Sequence, residues 1–154
     1  MDEKLYTGTL TVSGPLGDVS SPFTVTVEDT AAGTEVKAEL LVYGYDFEGN
    51  GTSPEWDDAF AELQKTLPKG YSIKCCLACR HGNLCVYGRI PNMIFCTHGK
   101  EIKDKYDLVD FIADPQAANT VHKATDVCEN FAPQSKDFYT YNDYLYYLEG
   151  GNNG

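Results

Sequence analysis

Five of the six cysteines of this chain fall between Tyr71 and Cys96, in YSIKCCLACRHGNLCVYGRIPNMIFC, and the sixth, Cys128, follows in DVCENFAP. Thiols at this density constrain a fold, because each must be buried inert, oxidised with a partner or gathered round a metal. Cys76 and Cys79 have the C-x-x-C spacing with which one tight turn can aim two sulfurs at a single cation. The best four-thiolate set is Cys76, Cys79, Cys96 and Cys128. Sixteen residues separate Cys79 from Cys96, as in the first half of a zinc ribbon. The second half departs from that pattern: Cys96 has His98 nearby in place of another C-x-x-C, and the fourth thiol lies far along the chain at Cys128.

Alternation over Tyr71–Leu77 puts Tyr71, Ile73, Cys75 and Leu77 on one face of a strand, with Ser72, Lys74 and Cys76 on the other. The adjacent cysteines therefore diverge. Cys75 is expected in the core and unligated, while Cys76 leaves the strand facing Cys79. His81 and His98 each follow a candidate cysteine by two residues, so either could replace a sulfur in a Cys3His site, and Cys85 is a further substitute ligand. His122, in TVHKAT, is expected on ordinary surface.

Other uses of these thiols compete. The cysteines could form disulfides, but MDEKLYTGTLTV has none of the basic-then-apolar character of a signal peptide, which leads us to expect a cytoplasmic, reducing setting. They could be unligated core thiols. A thioredoxin-like pair would need Cys76 at a helix N-terminus, whereas Cys79 runs into the turn-like Arg80–Asn83. A cysteine hydrolase could pair Cys85 or Cys96 with His81 or His98. No nucleophile, base and oxyanion hole can be assembled elsewhere, so an enzyme is not the expectation and no catalytic residue is assigned.

The remainder reads as scaffold. Leu5–Val12, Phe23–Glu28 and Glu35–Tyr45 alternate or are rich in threonine and aliphatic residues, predicting three antiparallel strands of a β-meander ended by Gly49–Gly51. Ser53-Pro54 predicts a helix cap followed by a first-turn proline, with a helix over Pro54–Leu67. In it Trp56, Ala59, Phe60, Leu63 and Leu67 form one apolar stripe facing the dry side of the sheet. Pro68 and Gly70 stop it. After the cysteine stretch, Leu84–Tyr87 and Met93–Thr97 are strand-like, and Asp104–Ala113 is weakly helical up to Asp114-Pro115. Gln116–Asp126 reads as loop. A helix over Tyr141–Glu149, capped by Thr140 and stopped at Gly150-Gly151, carries a tyrosine cluster, with Asn152–Gly154 expected to fray. No internal repeat is evident. The fold class is thus α+β: an antiparallel β-meander packed on one amphipathic helix, then a cysteine-rich irregular half. One domain spans 1–154, with meander and helix over 1–70 and the cysteine-rich half over 71–149.

Charge narrows the partners. With 12 Lys and Arg against 23 Asp and Glu the formal charge is -11, which repels nucleic acid and anionic lipid. No apolar run approaches the roughly 20 residues that cross a bilayer. A protein partner, or a second copy of the chain pairing at a strand edge, fits better.

C-L-A-C, the later F-C and the closing C-E-N-F-A-P resemble short four-cysteine modules of the form C-x-x-C…C…C-x-x-F-x-P. These occur in small bacterial metal-binding proteins and in small cluster-carrying subunits of some glycyl-radical enzymes. The resemblance covers Cys76–Pro133 and implies four cysteines holding zinc or an iron-sulfur cluster in a structural role, with Cys85 surplus. The expected function is a non-enzymatic, zinc-stapled interaction or accessory module. The alternatives are an iron-sulfur carrier or accessory subunit and a cysteine-dependent enzyme.

Overall fold

The computed structural model describes residues 2–88 and 90–150. The expected stop at Gly151 and the tail Asn152–Gly154 lie outside the described residues. The fold is mixed α and β, built on an antiparallel sheet. Strands β1 (Asp2–Gly14), β2 (Gly17–Thr30), β3 (Gly33–Val42) and β4 (Tyr45–Gly51) run as successive hairpins. A short β5 (Ser72–Lys74) joins the far side of β1, giving the order β4-β3-β2-β1-β5. Cross-strand pairs such as Phe23 with Leu40, Val25 with Ala38 and Val27 with Val36 carry the apolar face, and the alternating Thr24, Thr26, Glu35, Lys37 and Glu39 occupy the other.

The meander has one more strand than the sequence suggests. Tyr43 and Gly44 both take positive φ, 49° and 83°, and form a two-residue turn that pairs Val42 with Tyr45. Gly49 and Gly51, expected to end the meander, lie inside β4. Their role is close approach: a Cβ on Gly49 would overlap the backbone of Ala59 and Leu63, and one on Gly51 would overlap the Asp58 carboxylate. Helix α1 (Asp57–Thr66) therefore rests directly on the backbone of β4.

The helix begins later than Ser53-Pro54 predicts. Trp56 holds the cap position with φ 73°, and no side chain caps it. Ser53 closes the preceding turn instead, its carbonyl accepting from the Trp56 N–H at 3.0 Å. The Asp58 carboxylate turns back to accept from the Thr52 N–H at 2.8 Å and the Ser53 N–H at 3.2 Å. A cap read from sequence assumes a free side chain, and here the turn and a first-turn carboxylate divide that work. Trp56, Ala59, Phe60, Leu63 and Leu67 are all buried. Trp56 meets Tyr6 edge-on at 4.7 Å between ring centres and stacks on Phe60 at 6.0 Å.

Beyond β5 the structure is sparser. A second sheet comprises β6 (Gly82–Asn83), β7 (Ile94–Cys96) and β8 (Val121–His122), in that order. Arg80–Asn83 and Gln116–Asp126, both read as loops, thus supply strands, while Leu84–Tyr87 supplies none. Helix α2 (Lys105–Ala113) is capped by the Asp104 carboxylate, which accepts from the Asp107 N–H at 3.0 Å, and a 3-10 segment, Pro115–Thr120, follows. The last helix, α3 (Tyr144–Leu148), is shorter than Tyr141–Glu149. Thr140 does not cap it, because its hydroxyl donates to the Arg80 carbonyl at 2.6 Å. One cluster of buried side chains runs from Leu10 and Trp56 through Cys75, Leu77 and Ile94 to Tyr144, joining the sheet to the cysteine region. No helix among the described residues is long and apolar enough to cross a membrane.

The start of α1 also sets a pH response. Burial pushes the Asp57 carboxyl above its ordinary 3.8, and the charges of Asp58 and Asp143 push the same way, against hydrogen bonds from Ser53 and the Asp143 backbone. A raised pKa means that the folded state holds this proton more tightly than the unfolded chain. The contribution is therefore favourable at low pH and is lost as pH rises from 3.8 through the folded-state value. Urea denaturation of Asp57→Asn should show a shallower fall of stability across that window than the parent. An unchanged slope would refute the assignment.

Candidate metal centre

The C-x-x-C segment is placed by what surrounds it. After β5, Cys75 stays extended and fully buried, and Cys76–Ala78 form a 3-10 turn closed by the Cys79 N–H donating to the Cys76 carbonyl at 3.2 Å. Cys75 and Cys76 both join the buried cluster with Ile73 and Leu77, and Cys76 of the two also lines a small cavity. Gly82 brings β6 against this turn, since a Cβ there would overlap the Cys76 carbonyl. Pairing of Gly82 with Cys96 then carries β7, and with it Cys96, to the same place.

Cys128 arrives by another route. Two short stretches on either side of Cys128 bond to the C-x-x-C segment, residues 124–126 to 76–77 and residues 132–134 to 78–80. The Cys76 N–H donates to the Asp126 carbonyl at 2.7 Å, Leu77 N–H to Ala124 at 2.9 Å, and Arg80 N–H to Ala132 at 2.7 Å. An isolated bridge pairs Cys79 with Pro133, and Arg80 Nε donates to the Pro133 carbonyl at 3.1 Å. This strap fixes both flanks of Cys128 against the C-x-x-C turn.

The result is a cavity of about 20 Å³ lined by Cys76, Cys79, Cys96 and Cys128, together with His81, His98 and His122. The four cysteines singled out from the sequence are thus brought together, and so are two of the substitutes, His81 and His98. Cys85 is not. It lines a separate cavity with Glu55, Asp57 and Tyr141. His122, expected on ordinary surface, is half-buried at this cavity because β8 pairs it with Ile94. The loop reading of Gln116–Asp126 gave no sign of this, and nothing local indicated the pairing partner.

A short repeat escaped the sequence reading. Cys79-Arg80-His81-Gly82 and Cys96-Thr97-His98-Gly99 share the pattern C-x-H-G and meet across the cavity. The His81 N–H donates to the Cys79 sulfur at 3.5 Å, and the His98 backbone N–H serves the Cys96 sulfur in the same way. The two imidazoles lie edge to face at 4.9 Å, with Phe138 packed on His81 at 5.4 Å. Backbone N–H groups aimed at sulfur favour thiolate over thiol.

Crowding acts the other way. Burial pushes the Cys76 thiol well up, and Cys75, Cys79, Asp126 and Cys128 push it further. Burial also raises Cys96; the His98 N–H opposes this, and Cys128 and Cys79 reinforce it. Burial raises Cys75 to about 12 despite N–H donation from Ala78 and Leu77. His81 is lowered by burial and then by His98 and Arg80, which disfavours its charged form. Sulfurs that hinder one another's ionisation are those a divalent cation would relieve. No two cysteines are joined in disulfides. Among the described residues no group of three or more His, Cys, Asp or Glu side chains stands ready-made to hold a metal ion.

Compared with known proteins, the chain matches no family model, no curated protein and no solved structure.

Proposed function

We propose that this chain is a non-enzymatic module of the reducing cytoplasm whose cysteine-rich half is closed by one structural zinc ion held by Cys76, Cys79, Cys96 and Cys128. The observation that carries this reading is the meeting of four thiols, from three separate stretches of chain, around one small cavity. Binding would draw the sulfurs inward from their present positions, against backbone N–H groups already directed at two of them. Zinc suits the site better than an iron-sulfur cluster, since about 20 Å³ is the room of a single water-sized sphere or little more.

A cysteine-dependent enzyme fits less well. A nucleophilic thiol needs a depressed pKa, and the three thiols whose acidity is displaced, Cys75, Cys76 and Cys96, all move upward. The acidic surface favours a protein partner over nucleic acid, and exposed Tyr106 and Tyr146 supply aromatic surface of the kind interfaces use. Elemental analysis of protein purified without added metal, with thiols counted before and after denaturation, tests the proposal. One zinc per chain, with Cys76, Cys79 and Cys96 shielded until chelation or unfolding and the core thiol Cys75 shielded until unfolding, is the expected result. No bound metal, with native-state thiol reactivity unchanged by a chelator, would end it.

A further inference from the structure

Seven sulfur and imidazole side chains surround the cavity, and a tetrahedral ion uses four. They are not equally committed to it. Cys76 and Cys79 are 9% and 7% exposed, Cys96 is half-buried on β7, and Cys128 is exposed on the turn between the two ends of the strap. The strap holds the backbone on either side of Cys128 without enclosing its side chain.

His81 is in the opposite situation. The residue lines the cavity, and its Nδ1 is buried without a hydrogen-bond partner among the described residues, which applies to no atom of His98 or His122. A buried nitrogen left without a partner is costly unless something binds it. The backbone of His81 is already tied to a candidate ligand, since its N–H donates to the Cys79 sulfur. His98, its counterpart in the C-x-H-G repeat, is exposed, so the pair is asymmetric where it matters.

We infer that the fourth coordination position is shared: Cys76, Cys79 and Cys96 are constant ligands, and His81, through Nδ1, takes the place of Cys128 when that thiolate leaves. This rests on the zinc reading above. In the exchange the zinc–sulfur bond to Cys128 breaks and a zinc–nitrogen bond to His81 forms. No electrons change hands, and the freed thiolate takes a proton from solvent. The site thereby releases a reactive surface thiol without releasing its ion.

The test is limited alkylation of the zinc-loaded full chain with iodoacetamide, followed by peptide mapping and metal analysis, because Cys85 will also react. Modification of Cys128 should leave one zinc per chain in the parent and eject it in His81→Ala. Cobalt(II) loading gives an independent reading. Cys128→Ser should bind one cobalt with thiolate charge-transfer absorption reduced to about three-quarters of the parent's, as three sulfurs replace four. The double variant H81A/C128S should not hold the ion. Loss of zinc in step with Cys128 alkylation in the parent, or a double variant that binds as well as Cys128→Ser, would overturn the shared position while leaving a four-cysteine site standing. A parent that binds neither zinc nor cobalt would overturn the metal reading itself.

Discussion

Replacing Trp56 with alanine is expected to lower folding stability by about 3–5 kcal/mol, a large share of the roughly 5–15 kcal/mol that holds a typical domain together. Trp56 is the largest of the fully buried side chains, and it sits where the sheet, through Tyr6, meets α1, through Phe60. Alanine would leave a cavity that the flanking rings cannot close, because β4 and α1 already touch backbone to backbone at Gly49. Trp56→Phe should cost distinctly less. It keeps a ring in the space and removes an indole N–H that is buried without a hydrogen-bond partner. Chemical denaturation of both variants checks the order. Near-neutral stability for the alanine variant would show that the junction of sheet and helix is not a principal source of stability.

The second large effect is expected from metal removal. In a closed thiolate site, ligand binding is folding free energy, because the unfolded chain offers no preformed site. Here one ion would cross-link the C-x-x-C turn, β7 and the strap, three stretches otherwise held mainly by backbone hydrogen bonds. Loss of even about 4 kcal/mol should lower the melting temperature by roughly 8–16 °C in a chain of this size. Treatment with a chelator should produce that drop. Cys79→Ser should match it, and the chelator should then have no further effect, since both remove the same interaction. Cys85→Ser, on its separate cavity, should leave the chelator response intact. An unchanged melting temperature for the parent in excess chelator would exclude a stabilising ion.

Local pattern determined a good deal here. A period of 2 located the first three strands. Trp56, Ala59, Phe60, Leu63 and Leu67, chosen by helical spacing, are buried, but so are Asp57, Asp58 and Ala61 off that stripe. The parity of Tyr71–Leu77 set Cys75 and Cys76 on different faces, and of the two Cys76 alone lines the cavity although both are buried. The four candidate ligands could be chosen from spacing and parity, and they do surround one cavity.

Tertiary structure decided what depends on close approach between distant segments. Gly49 and Gly51 look like turn residues until α1 lies on them, and Gly82 looks like loop until the Cys76 carbonyl is seen against it. Cys128 reaches the cavity through a backbone strap, and His122 through two residues of β8. Both are ladders whose hydrogen bonds involve N–H and C=O groups common to every residue, so they leave no side-chain signature. Cys85 parts from the other candidates for the complementary reason: Leu84 donates its N–H to the Tyr141 carbonyl, drawing that stretch toward the C-terminal segment and away from the cavity. Periodicity records which face of an element is buried, and only packing records which other element buries it.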